Sequence, residues 1–313
     1  QVIDTCGKSH RARYQPKVTQ VTPRSINAES TGLQGQAQSG KPTFTAGDQQ
    51  SPIDMSKSMT FENGMNTLEV ANEGTYTINS DDTITFKPLK QFTGKATPVT
   101  VKRVDANGTE VTATYTPNVT KVTPTSTPAT SSGPQGVPQT GTPTFQGGDP
   151  LVPIDETVEP TFADGSKEKN IPGQGTYTIA PDGSVTFTPE KQFVGEPDPI
   201  TVKRIDKNGT EVTATYTPTV TKVTPVGTNA TSTGPQGVPQ TGTPTFQGGD
   251  PLVPIDETVE LTLEDGSKKK TIQGQGTYTI DPDGSVTFTP NKQFVGKPDP
   301  ITVKRVDKNG TPV

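Results

Sequence analysis

The chain repeats itself. Gly141-Thr142-Pro143-Thr144-Phe145 returns at 242–246, and Thr75-Tyr76-Thr77-Ile78 returns at 176–179 and 277–280, each time after 101 residues. No insertion or deletion breaks the register, and residues 141–212 and 242–313 differ at only 11 of 72 positions. A fixed period means an array of like units, and at ~100 residues each unit has the size of a module of its own. The copies read as 24–123, 124–224 and 225–313. Residues 1–23 align with the end of a copy: Ile3-Asp4-Thr5-Cys6-Gly7 matches Val104-Asp105-Ala106-Asn107-Gly108, and Tyr14 matches Tyr115. The third copy stops at Val313, the counterpart of Val212, and so lacks its last strand. This phase reads as a slice of a longer array, which accounts for the absence of targeting segments.

Composition removes several classes of fold and function. Only 27% of the 313 residues are apolar, there is no Trp, and Gly and Pro number 32 each. That supply does not build one large mixed core. The net charge of −5 is too small for a chain kept unfolded by self-repulsion, and it offers no footprint for nucleic acid. One His (His10) and one Cys (Cys6) exclude most catalytic centres built on these residues, multi-ligand zinc sites and an internal disulfide. No apolar run approaches the ~20 residues of a membrane helix. The sequence therefore predicts no catalytic, cofactor-binding or metal site, and no enzyme.

Local signals are all β. Thr176-Tyr177-Thr178-Ile179 alternates with period two, Pro181-Asp182-Gly183-Ser184 follows, and Val185-Thr186-Phe187-Thr188 alternates again. This is a hairpin with an Asp-Gly turn. A second hairpin runs from Ile200-Thr201-Val202-Lys203 through Asp206-Lys207-Asn208-Gly209 to Val212-Thr213-Ala214-Thr215-Tyr216, with Asn-Gly supplying positive φ. Shorter strands are predicted around Phe145, at 151–154 and at 158–162. Six or seven short strands in ~100 residues match an immunoglobulin-like sandwich. The fold class is all-β: tandem β-sandwich modules of about 101 residues.

The aromatics sharpen this reading. All 11 Phe and 6 Tyr fall on six positions of the repeat, those of Phe44, Phe61, Tyr76, Phe86, Phe92 and Tyr115. Leu263 replaces the aromatic once. These positions are the predicted core, and Thr fills the wet face of the strands. Stretches such as 224–235, rich in Pro, Gly, Ser and Thr, read as semi-stiff linkers between modules. A linker of ~14 residues and strands of ~8 residues bound the repeat at roughly 50–70 Å. Residues 133–150 and 234–251 are identical, which fits either a defined interdomain geometry or recent duplication.

The repeat resembles the CshA-type fibril repeat of streptococcal, Gram-positive surface adhesins. The segments that carry the likeness are Gly-Thr-Pro-Thr-Phe at 141–145, Val152-Pro153-Ile154-Asp155, residues 173–179, residues 182–189, Thr201-Val202-Lys203-Arg204, residues 206–210 and residues 213–218. The first copy departs from them, with Asp81-Asp82 in place of Asp-Gly and Ala46-Gly47-Asp48-Gln49-Gln50 in place of Gln-Gly-Gly-Asp-Pro. The resemblance implies an extracellular, wall-anchored protein whose repeats form a fibrillar stalk for an adhesive region outside this chain. Its partners would be adjacent repeats and, through the whole protein, matrix proteins or other bacteria. The alternative is that the repeats themselves bind a matrix protein or a neighbouring cell.

Candidate sites have plainer readings. Asp281-Pro282-Asp283-Gly284 and Asp206-Lys207-Asn208-Gly209 look like the start of a calcium loop, but Gly falls at the fourth position and strands follow at once, so turn chemistry is expected. Asn107, Asn208 and Asn229 each open an Asn-X-Thr pattern and are assigned no glycan. The pairs at Lys102, Lys203 and Lys304, each followed by Arg, are placed on a solvated sheet face, because an isopeptide crosslink needs a buried Lys. Cys6 sits in a hairpin turn as an exposed thiol. The truncated third copy is expected to be the least stable part of the chain.

Overall fold

The computed structural model describes residues 2–313, apart from the side chain of His10. Among the described residues every regular element is a β-strand. The chain forms two compact units, one reaching to Thr123 and including Asp149–Val152, the other made of Pro124–Gly148 and Pro153–Val313.

The second module shows the complete plan. Its strands are β1 Thr125–Thr127, β2 Ala129–Pro134, β3 Gln139–Gly141, β4 Thr144–Gln146, β5 Thr161–Phe162, β6 Glu168–Ile171, β7 Gly175–Ile179, β8 Val185–Pro189, β9 Ile200–Ile205 and β10 Glu211–Thr221. One sheet has the order β2-β10-β9-β5, the other β3-β8-β7-β6, and β1 pairs with β4. Both predicted hairpins form, with Ile179 opposite Val185 and Ile205 opposite Glu211. The second of the three shorter strands does not: residues 151–154 make only isolated bridges, from Val152 to Asp149 and from Ile154 to Asp206.

The sheets close on the aromatic positions. Phe162, Tyr177, Phe187 and Tyr216 are buried, with Phe145 and Phe193 packed at the margin. Tyr177 stacks beside Phe187 across β7 and β8, with ring centroids 4.6 Å apart, and meets Tyr216 from the opposite sheet edge-on at 6.1 Å. Such pairs add specificity to area burial. Phe61, Tyr76, Phe86 and Tyr115 form the same core in the first module.

The linker reading fails for nearly all of the equivalent stretch of the second module, residues 123–134. In the second module this stretch forms β1 and β2, and β2 runs parallel to β10 with Ala129 opposite Tyr216 and Pro134 opposite Thr221. In the first module Ala28–Leu33 pairs in the same way with Glu110–Thr120. From β1 to the end of β2 the prolines are Pro128, between the two strands, and Pro134, the last residue of β2.

The third module is reduced. Its four-stranded sheet, Gln240–Gly242, Val286–Pro290, Gly276–Ile280 and Lys269–Ile272, is intact. Without a counterpart of β10, the match of β9 shrinks to Val303–Lys304, paired with Thr262–Leu263. Residues 229–235 have no strand partner. Tyr278 is only half-buried, whereas Tyr76 and Tyr177 are fully enclosed.

Candidate functional site

The acidic turns are self-contained. Asp182 Oδ1 accepts from Ser184 N at 2.9 Å and Ser184 Oγ at 2.6 Å, and these bonds hold its carboxyl below the usual range. Asp206, fully buried, accepts from the backbone N–H of Asn208 and Thr210 at 2.9 and 2.8 Å. Asp105 and Asp307 repeat the pattern. Asp4 does so towards Cys6 and Lys8, which places the exposed Cys6 in the same kind of turn. Among the described residues no group of three or more His, Cys, Asp or Glu is placed to hold a metal ion.

The basic pairs divide between two environments. Lys203 faces outward and pairs with Glu211 at 3.5 Å, as Lys102 does with Glu110. Arg204 follows Ile200 and Val202 on the inward face of β9, and its Nη2 reaches Glu156 Oε2 at 2.8 Å. The pair is therefore not wholly solvated. Strict alternation from Val202 would have placed the Arg correctly. Lys207 binds Asp155 at 2.6 Å; this contact, with Thr157, lowers the Asp155 carboxyl to about 2.

A buried polar chain links strands that local sequence reading cannot connect. The Tyr216 hydroxyl lies 2.6 Å from Ser131 Oγ, which donates to Gln139 Oε1 at 2.5 Å. Gln139 Nε2 in turn donates to Thr219 O at 3.1 Å. Gly141 makes room for the ring, since a Cβ there would lie 2.3 Å from Tyr216 Cε2. The first module repeats the chain with Tyr115, Ser30, Gln38 and Asn118.

The most site-like feature is the join between the second and third modules. Gln135 is buried; its Nε2 donates to Lys191 O at 2.8 Å, and its Oε1 accepts from Val223 N at 3.3 Å. The chain leaving β10 is thereby pinned, and Val223 is buried. Asn309, in the last turn of the third module, donates through Nδ2 to Gln135 O at 2.8 Å. Gln192 Nε2 donates back to Asn309 O at 2.6 Å. Gly136, at φ +77°, lets Asn309 approach: a Cβ there would sit 1.9 Å from its Oδ1. Asn208 is buried, which closes one of the three glycosylation patterns to a glycan, and Asn309 is buried in the same way. Nothing local marks these residues. Only their recurrence at a fixed offset draws attention to them.

The sequence signature described as the surface adhesin CshA repetitive domain matches three times, at residues 20–119, 121–220 and 222–313. Repeat domain 13 of the fibrillar adhesin CshA from Streptococcus gordonii, solved by NMR, is 86% identical over 23% of this chain and 94% of its own, with a TM-score of 0.15. Mouse cadherin-23 EC22-24 is similar at 14% identity over 94% of this chain and 96% of its own, with a TM-score of 0.33. The titin I9-I11 tandem is similar at 11% identity over 93% and 97%, with a TM-score of 0.29. No curated protein matches the chain.

Proposed function

Because the chain belongs to the repetitive-domain family of the surface adhesin CshA, we propose that its modules are segments of an extracellular stalk. The stalk holds an adhesive region away from a bacterial cell wall. Its work is mechanical, and no chemical step enters it. The observation that supports this reading is the join at Gln135 and Asn309, where side-chain bonds and a buried Val223 replace a free linker. With much of the supposed linker folded into strands, one 11-residue strand and a four-residue connector give a rise of about 45–50 Å per repeat. Small-angle scattering of dilute chain tests the reading. An elongated profile with the cross-section of one module is expected, and a compact particle overturns it.

A further inference from the structure

Asn-Gly occurs four times in the chain, at 63–64, 107–108, 208–209 and 309–310. This dipeptide is chemically labile, because glycine has no side chain to keep its amide nitrogen away from the preceding carboxamide carbon. Asn63 and Asn309 sit in the same kind of turn. Gly64 N–H donates to Phe61 O at 2.9 Å and Gly310 N–H to Asp307 O at 2.8 Å, and both glycines have φ +80°. The attacking nitrogen is therefore tied alike in the two.

The carboxamides are held differently. Asn63 is exposed, and its Oδ1 accepts from Met65 N within its own turn. Asn309 is buried against the second module: its Nδ2 donates to Gln135 O at 2.8 Å, and Gln192 Nε2 holds the adjoining Asn309 O at 2.6 Å. The two turns also differ in whether they receive a carboxylate. At the place of Asn63 the second and third modules carry Asp164 and Asp265, whose Oδ1 atoms accept from Ser166 N and Ser267 N at 2.9 Å, so an aspartate fits that turn. At the place of Asn309 the other two modules carry Asn107 and Asn208. An aspartate at 309 would have no N–H for Gln135 O and would set a negative charge beside a buried carbonyl.

We propose that Asn309-Gly310 is a deamidation site gated by the join between the second and third modules. While the join is closed, the carboxamide is held on Gln135 and shielded from water. Local opening frees it. Gly310 N then bonds to Asn309 Cγ, the Cγ–Nδ2 bond breaks, and the proton of Gly310 N–H leaves with the amide nitrogen as ammonia. One water molecule opens the resulting five-membered imide at either carbonyl, leaving aspartate or isoaspartate. Neither product has the carboxamide N–H that Gln135 O accepts, so the reaction makes an opening of the join permanent. The join thus ages in one direction, from tight to loose. The inference concerns the chemistry of the join and does not depend on the stalk reading.

Incubation of the whole chain at mildly alkaline pH, followed by peptide mapping with mass spectrometry, tests it. Asn63 should convert, and Asn309 should lag it by at least about tenfold, the open fraction of the join setting the ratio. Gln192→Ala takes an exposed donor from the join without touching either core, and should speed conversion at Asn309 several-fold while leaving Asn63 unchanged. Gly136→Ala crowds Asn309 off Gln135 and should speed it further. Conversion of Asn309 as fast as that of Asn63 in the parent chain overturns the proposal, as does a rate at Asn309 that both variants leave unchanged.

Discussion

Arg103 Nη2 lies 2.5 Å from Asp82 Oδ1, a carboxylate that takes the place of the one used by the equivalent Arg in the other modules. In the second and third modules the matching Arg204 and Arg305 reach Glu156 and Glu257. The first module has Met55 at that position, 69% exposed. Its carboxylate comes instead from the hairpin turn, where Asp82 stands in place of Gly183 and takes φ +67° without being glycine. The buried guanidinium thus keeps one carboxylate in every copy, and the first module accepts a left-handed side chain to provide it.

Asp82→Gly removes the backbone strain but leaves Arg103 without its carboxylate. Loss of the partner outweighs the gain, and the first module should lose about 1–3 kcal/mol, since an unpaired buried charged donor costs more than a relaxed turn returns. Adding Met55→Glu rebuilds the arrangement of the second module and should restore most of the loss. Urea denaturation of the single and double variants checks this; equal stability of the two would show that the pairing is incidental.

The strand phase predicts a contrast between neighbours. Phe187 is fully buried, and Phe187→Ala should destabilise the second module by about 3–5 kcal/mol. Thr186 points to the other face, 3.2 Å from Thr140 Oγ1, and Thr186→Ala should change stability by about 0.5 kcal/mol or less. Similar midpoints in chemical denaturation would contradict the assigned phase.

What could be read from the sequence was what local chemistry writes. The Asp-Gly and Asn-Gly turns, the alternation of Tyr177 and Phe187 with Thr, and the six aromatic positions locate both hairpins and the core. Residues 125–134 read as linker because their Ser, Thr and Pro content carries no alternation. They become strands only through β10, whose Tyr216 lies 87 positions after its partner Ala129. The Gln135–Asn309 contact has the same character, joining residues 174 positions apart. Non-local partners of this kind leave no trace in a sequence window.

Gly141 should not tolerate a single methyl group. Gly141→Ala drives a Cβ to within 2.3 Å of Tyr216 Cε2, an overpacking that should cost about 1–3 kcal/mol. Urea denaturation checks this, and a variant as stable as the parent chain would mean that the Tyr216 ring does not lie over Gly141.

Acid should act on the Asp155–Lys207 and Asp256–Lys308 pairs. Hydrogen bonds from the Lys, then from Thr157 and Thr258, lower both carboxyls to about 2. A carboxyl whose folded value is depressed contributes stability that is fully present above its unfolded value near 3.8 and is lost as pH falls through the folded value. Stability should therefore decline between about pH 4 and pH 2. Lys207→Met should raise the Asp155 midpoint, followed by carboxyl NMR, towards its ordinary value. An unmoved midpoint would reject the Lys207 contact as the cause.

The join between modules is tested by another matched pair. Gly136 and Gly237 adopt φ +77° and +70°, so Ala strains the backbone alike at both. Their surroundings differ. A Cβ at Gly136 would lie 1.9 Å from Asn309 Oδ1, whereas at Gly237 the nearest heavy atom is 4.0 Å away, in Lys292. Asn309 can move aside only by giving up its bond to Gln135 O, which would leave a buried carbonyl without its donor. Gly136→Ala should therefore cost about 1–2 kcal/mol more than Gly237→Ala. It should also widen the spread of orientations between the second and third modules, read from residual dipolar couplings. Asn309→Ala should widen it in the same way without the backbone strain. If both variants leave the couplings of the two modules as correlated as in the parent chain, the Gln135–Asn309 contact does not set the angle between them.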